Sequence, residues 1–183
     1  MADDRIRLFC ALQLPGDTVE SLARWQAEHL PDAGRIVPPE NLHVTLAFLG
    51  HRASGEVPAI ADELREASAG AHRIELRATR YRETRNVGMV VLEDVGGAAT
   101  ALAEDVQERL ERLGVYRRET RSWLPHLTVV RFKERAGLSP ESPNMCSIHV
   151  VRSALYRSVL GRGPGGNSGA RYDVLETAAL GGR

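Results

Sequence analysis

The sequence predicts an α+β fold built from two similar β-α-β halves, and three observations predict it. Apolar and polar residues alternate with period two in several short runs, and stretches with helical spacing separate those runs. The order strand, helix, strand occurs twice. A His-X-Thr pattern flanked by apolar residues also occurs twice, in Asn41-Leu42-His43-Val44-Thr45-Leu46-Ala47-Phe48-Leu49-Gly50 and in Pro125-His126-Leu127-Thr128-Val129-Val130. The two histidines stand 83 positions apart (126 − 43). Each therefore falls in its own half of one domain, about 1–82 and 83–183. That is the mark of a diverged duplication rather than a short-period solenoid. Halves related by a pseudo-two-fold axis would set the two histidine strands side by side, with their polar faces lining one cleft.

Residues 6–14 read as a largely buried strand that Pro15-Gly16 stops. Asp17 is the expected N-cap of a helix carrying Val19, Leu22, Ala23 and Leu30 at helical spacing, ending near Pro31. A loop with Pro38-Pro39 leads to the first histidine strand, which Gly50 closes. Val57, Ile60, Ala61 and Leu64 mark a second helix ending by Gly70. Residues 73–78 alternate as a strand with one wet face. Residues 87–92 form the next strand, and Gly96-Gly97 a turn. Ala99, Leu102, Val106, Leu110 and Leu113 give the clearest helix, with Gly114 placed as its C′ residue. The second histidine strand covers 123–132, a proline-punctuated loop 139–143, and further strands 148–158 and 171–177. Between the last two, Gly161 to Gly169 reads as a mobile hairpin tip. It has no helix behind it and no Lys-Ser/Thr ending, so it is not a phosphate-cradling P-loop.

Composition bounds the function. In 183 residues, 43% hydrophobic, there is enough apolar material for one core. Lys+Arg and Asp+Glu stand at 24 each, so bulk charge gives no argument for a nucleic-acid partner. Cys10 and Cys146 have no ligand spacing and read as reduced thiols. The first residues hold no apolar run of signal-peptide length, and no stretch approaches a membrane span of roughly 20 apolar residues. A soluble, cytoplasmic protein is the expectation.

In an extended strand, side chains at i and i+2 share a face. His43 and Thr45 are thus expected on one face, with Leu42, Val44, Leu46 and Phe48 in the core. His126 and Thr128 pair likewise. Histidine accepts or donates a proton near neutrality. Two imidazoles flanking a phosphodiester divide the work: one deprotonates water, the other protonates the leaving oxygen. Thr45 and Thr128 are placed to hold non-bridging phosphate oxygens. No His-Glu-X-X-His spacing occurs and no carboxylate adjoins either histidine, so no metal is expected. His29, His51, His72 and His149 lack this context and read as surface or packing residues.

These residues resemble the two-histidine (2H) phosphoesterases, specifically the bacterial and archaeal RNA 2′,3′-cyclic phosphodiesterases, also called 2′-5′ RNA ligases. Residues 7–12 look like the family's opening strand. Residues 39–50 and 124–131 are close to its two signatures, and 152–158 and 172–175 look like its closing strands. The resemblance implies a bilobal α+β fold, with two antiparallel sheets flanking a central cleft and helices outside. It implies a monomer without cofactor that hydrolyses RNA 2′,3′-cyclic phosphate ends, or small cyclic nucleotides, to 2′-phosphomonoesters. His43 and His126 become the acid/base pair, with His126 assigned as base and His43 as acid. Thr45 and Thr128 become phosphate anchors. Run backwards, the site would join a cyclic phosphate to a 5′-hydroxyl in a 2′-5′ link. Arg131 either contacts phosphate in the cleft or, pointing away from His126 by alternation, forms a strand-end salt bridge. Ile36 stands where the family often has an aromatic, leaving Trp123, Tyr81 and Phe132 as candidates for stacking a base. The alternative is a module of the same fold that binds nucleotides or RNA ends without turnover.

Overall fold

The computed structural model describes residues 4–30, 32–162 and 168–181. Among these, twelve strands and α-helices follow one another: β1 (Arg5–Gln13), α1 (Gly16–His29), β2 (Arg35–Ile36), β3 (His43–Ala53), α2 (Val57–Gly70), β4 (Ile74–Glu83), β5 (Val87–Val95), α3 (Ala98–Arg112), β6 (His126–Arg131), β7 (Ile148–Val150), β8 (Arg152–Arg162) and β9 (Ser168–Ala179). The class is α+β, and no helix is long and apolar enough to cross a membrane.

The strands form one sheet in the order β7-β4-β5-β6-β3-β1-β8-β9, with β2 added to β6. This corrects the expectation of two separate sheets. Two groups of strands are joined at the centre, between β3 and β6, through the single register pair Val44↔Leu127. Each group draws on both halves of the sequence: β4 pairs with β5, and β8 pairs with β1. The sheet is also curled. β7 ends the strand path on one side and β8 stands next to its last strand, β9, on the other, yet only Val151 separates β7 from β8 in the chain. Consecutive Cα atoms are about 3.8 Å apart, so the two ends must come together. The run 148–158, expected as one strand, is split for this reason.

All three helices contribute to one apolar cluster on one face of the sheet. Leu22 and Trp25 come from α1, Ile60 and Leu64 from α2, and Val106 and Leu110 from α3; they meet Val44, Leu46, Leu76, Val90 and Leu127 of the strands. The opposite face carries a separate small cluster of Phe9, Ala11, Ala154 and Tyr156. The face with the helices is the core; the other is left for a site.

Local signals explain the helix ends. α3 stops at Gly114, which adopts φ +78°, a conformation that favours glycine. The Gly114 amide donates to the Glu111 carbonyl and the Val115 amide to the Leu110 carbonyl, closing the orphan carbonyls of the last turn. Asp17 is not the N-cap of α1. The helix starts two residues earlier, at Gly16 behind Pro15, and the Asp17 carboxylate accepts from the Thr18 amide instead. Cys10 is buried among apolar residues, which pushes its thiol up to about 12, while Cys146 is exposed. In the Gly161–Gly169 segment, residues 163–167 lie outside the described residues; Gly161 pairs with Gly169 across the hairpin.

Candidate active site

The β3–β6 seam builds the site. Val44 and Leu127 pair in antiparallel register with their side chains in the core. Their neighbours must then face the other way. The register sets His43 across from Thr128 and Thr45 across from His126. Directly opposed Cβ atoms lie about 5 Å apart and diagonal ones about 7–8 Å. The two imidazoles thus occupy one diagonal of a four-residue patch, and the two hydroxyls the other.

Each of the two strands then departs from alternation at the same point. Against β1, Thr45 pairs with Ala11 and Ala47 with Cys10, leaving Leu46 as an extra residue. Against β5, Thr128 pairs with Met89 and Val130 with Gly88, leaving Val129 extra. Each insertion is a β-bulge, which turns two successive residues into the core and returns the next to the site face. Leu46 and Ala47 are both buried, as are Val129 and Val130. The residues returned are Phe48 and Arg131. Two expectations are corrected here. Phe48 is not a core residue but 48% exposed, and Arg131 does not point away from His126. Both line the cleft beside His43.

A buried glutamine holds each bulge. Gln107 of α3 donates from Nε2 to the Leu46 carbonyl (2.8 Å), and Gln26 of α1 donates to the Val129 carbonyl (2.7 Å) and the Val37 carbonyl (3.0 Å). A buried carbonyl left without a partner is costly, so these amides fix the irregular geometry. Beside the β6 bulge, Gly88 leaves no room for a side chain: a Cβ there would collide with the Tyr81 hydroxyl and Val130.

The imidazoles are oriented by the same device. The Nδ1 of His43 lies 2.7 Å from the Asn41 carbonyl, and the Nδ1 of His126 lies 2.8 Å from the Leu124 carbonyl, two residues upstream in both cases. A carbonyl only accepts, so Nδ1 carries the hydrogen and Nε2 is left for chemistry. The Nε2 of His43 lies 3.2 Å from the Thr45 hydroxyl. Burial pushes His43 down to about 4; its hydrogen bond to the Asn41 carbonyl opposes the shift, and the nearby Arg131 guanidinium and His126 ring reinforce it. With these neighbours alone, His43 is uncharged at neutral pH.

Two adjoining pockets, of about 370 and 290 Å³, meet at His43. Thr45, Phe48 and Arg7 line the larger; Thr128, Ile36 and Asn41 line the smaller; Arg131, Arg35 and Tyr172 line both. His126 borders neither and stands across the seam. Aromatic rings surround His43, with centroids at 4.8 Å (Phe9), 5.4 Å (Tyr172) and 6.0 Å (Tyr156). The Arg7 guanidinium sits 4.8 Å over the Phe48 ring. These aromatics are residues that strand alternation alone does not single out, because Phe9 sits in an unbroken apolar run. The three expected stacking candidates are placed elsewhere. Trp123 donates from Nε1 to the Thr45 carbonyl (2.9 Å), Tyr81 donates to Glu83, and both pack with Phe132 against the main core. His29 stacks on Trp25, and His51, His72 and His149 are exposed.

Comparison with known proteins settles the family. Residues 12–86 match the family model described as LigT like Phosphoesterase. The RNA 2′,3′-cyclic phosphodiesterase of Escherichia coli is 32% identical over 181 residues, covering 95% of this chain and 96% of that protein. The chain belongs to the LigT-like phosphoesterases. Solved structures share its fold over nearly the whole length. A crystal structure from Thermus thermophilus superposes with a TM-score of 0.81 at 28% identity, covering 97% of this chain and 99% of that one. E. coli LigT complexed with 3′-AMP superposes with a TM-score of 0.78 at 26% identity and the same coverage.

Proposed function

We propose that the protein hydrolyses RNA 2′,3′-cyclic phosphate ends to 2′-phosphomonoesters, with His43 and His126 exchanging protons and no metal ion taking part. The observation that carries this reading is the diagonal placement of two imidazoles on one face, each tied through Nδ1 and each offering Nε2. The names of the relatives support the substrate class, as does the 3′-AMP bound by E. coli LigT.

The proposed steps keep His126 as base and His43 as acid. The cyclic phosphate enters between the imidazoles, its non-bridging oxygens held by the Thr45 and Thr128 hydroxyls and by Arg131. The Nε2 of His126 takes a proton from water, and the water oxygen attacks phosphorus. The P–O3′ bond breaks, and the Nε2–H of His43 protonates the departing 3′ oxygen. The 2′ ester remains. His43 needs a proton for this role, and the substrate helps supply it. A phosphodiester anion beside the ring counters Arg131 and favours imidazolium, so binding and protonation are coupled. A 5′-hydroxyl replacing water as the nucleophile gives the 2′-5′ link by the same steps, with the P–O3′ bond breaking and the 3′ oxygen protonated, and abundant water favours hydrolysis. Phe48 and Tyr172, which line the pockets beside His43, offer the faces on which a base of a single-stranded end stacks.

The test is release of a 2′-phosphate from a 2′,3′-cyclic nucleotide in the presence of EDTA. Wild type is expected to turn over fully with the chelator and His43→Ala to lose activity. Wild-type rates in His43→Ala would remove the mechanism. Tight nucleotide binding without product after long incubation would identify a binding module instead.

A further inference from the structure

We infer that β4 carries a lane for the RNA backbone, in which Arg80 and Arg82 hold phosphates upstream of the reacting end. The preferred substrate is then an RNA strand rather than a mononucleotide. This rests on the hydrolytic reading above and specifies its substrate.

The lane is created by a third bulge. In β4, Ile74 and Leu76 point into the core, with Ala78 packed beside them. Unbroken alternation would send Arg80 and Arg82 there too. The register against β5 instead skips one residue: Ala78 pairs with Leu92, and Arg80 with Val91. Thr79 is the extra residue, and its hydroxyl donates to the Val91 carbonyl (2.9 Å). Beyond it, Tyr81 and Glu83 take the core positions, and Arg80 and Arg82 emerge exposed on the site face.

Cross-strand rows connect them to the candidate catalytic pair. Arg80 pairs with Val91, which pairs with His126; Arg82 pairs with Met89, which pairs with Thr128. Both middle residues are apolar and buried, and neither belongs to the helix-side core. Two strand spacings put each arginine Cα roughly 10 Å from its partner on β6, within a long side chain's reach of the next phosphates of an extended strand. The lane has a defined end. The next row along β4 and β5 pairs Arg77 with Glu93, and Arg77 is bound to Glu75 at 2.7 Å. On β4, the arginines in the rows of His126 and Thr128 stand opposite apolar residues of β5, whereas Arg77 stands opposite a carboxylate. The opposite side of the cleft is aromatic. Stacking faces on one side with guanidinium groups on the other are how single-stranded nucleic acid is held without regard to sequence.

The experiment compares binding of a 5′-labelled RNA oligonucleotide ending in a 2′-phosphate with binding of 2′-AMP, over a range of salt. The proteins are wild type, Arg80→Ala/Arg82→Ala and Arg80→Lys/Arg82→Lys. Wild type is expected to prefer the oligonucleotide. The alanine double variant is expected to lose about tenfold in oligonucleotide affinity and about 1.4 in the log–log salt slope, about 0.7 per phosphate contact. Its 2′-AMP binding and its turnover of a cyclic mononucleotide should stay at wild-type level, and the lysine variant should recover the slope. An unchanged oligonucleotide affinity and slope in the alanine variant would overturn the lane, as would an equal loss for 2′-AMP. The readout is binding of an uncleavable end. Absence of cyclic-nucleotide turnover in wild type would therefore count against the hydrolytic reading alone.

Discussion

β3 and β6 carry the same device in different surroundings. Each runs His, apolar, Thr, bulge, and then a residue returned to the cleft. Each imidazole is tied by the carbonyl two residues upstream, and each bulge by a buried glutamine. The difference lies in what the bulge returns and what surrounds the ring. β3 returns Phe48, and His43 lies among Phe9, Tyr156 and Tyr172. β6 returns Arg131, and the rows leading away from it end in Arg80 and Arg82. One backbone solution, used twice, thus supplies an apolar side that holds a ring uncharged and a cationic side that attracts phosphate. Similar motifs do not have to perform equal work.

The sharpest way to break this comparison is to remove each histidine in turn. His43→Ala and His126→Ala are each expected to lower kcat by about 10²–10⁴. The double variant should be little worse than either, because two groups passing protons through one transition state act as a unit. Additive losses in a full set of rate measurements would show that the two rings work independently.

A smaller effect should separate the two bulge residues. Arg131→Ala removes a charge-assisted contact and is expected to lower kcat/KM about 10–100-fold, partly recovered in Arg131→Lys. Phe48→Ala removes only a stacking face, so KM should rise about fivefold or more with kcat nearly unchanged. Steady-state kinetics on a cyclic nucleotide distinguish the two; a kcat loss of equal size in both variants would erase the proposed division.

The smallest difference should appear in stability against pH. Burial lowers His43 from 6.5 to about 4 in the folded protein. Between those values the unfolded chain binds the proton and the native site resists it. Stability associated with this residue is therefore complete above about 6.5 and is lost as pH falls toward 4, by at most about 3 kcal/mol. Denaturant melts at several pH values should show a flatter acid slope for His43→Asn than for wild type; equal slopes would show that burial does not hold this ring uncharged.

Much of this was legible in the residues. The class, the three helices, the Gly114 stop and the two His-X-Thr strands follow from periodicity and from glycine's tolerance of positive φ. What escaped reading has one cause. A bulge adds a residue without a sequence mark, so alternation assigned Phe48 to the core and turned Arg131 away. It also gave no reason to continue the 73–78 strand to two exposed arginines. Phe9 was hidden because a strand buried on both faces reads as a plain apolar run.

By itself, then, the sequence singled out the candidate side chains and placed them on strands, because residue type and period-two spacing are local properties. Only the tertiary structure decided that the strands join into one curled sheet, which ring is buried, and which residues beyond each threonine reach the cleft. Those outcomes depend on register and on glutamines from distant helices, and no local stretch of chain encodes a partner it has yet to meet.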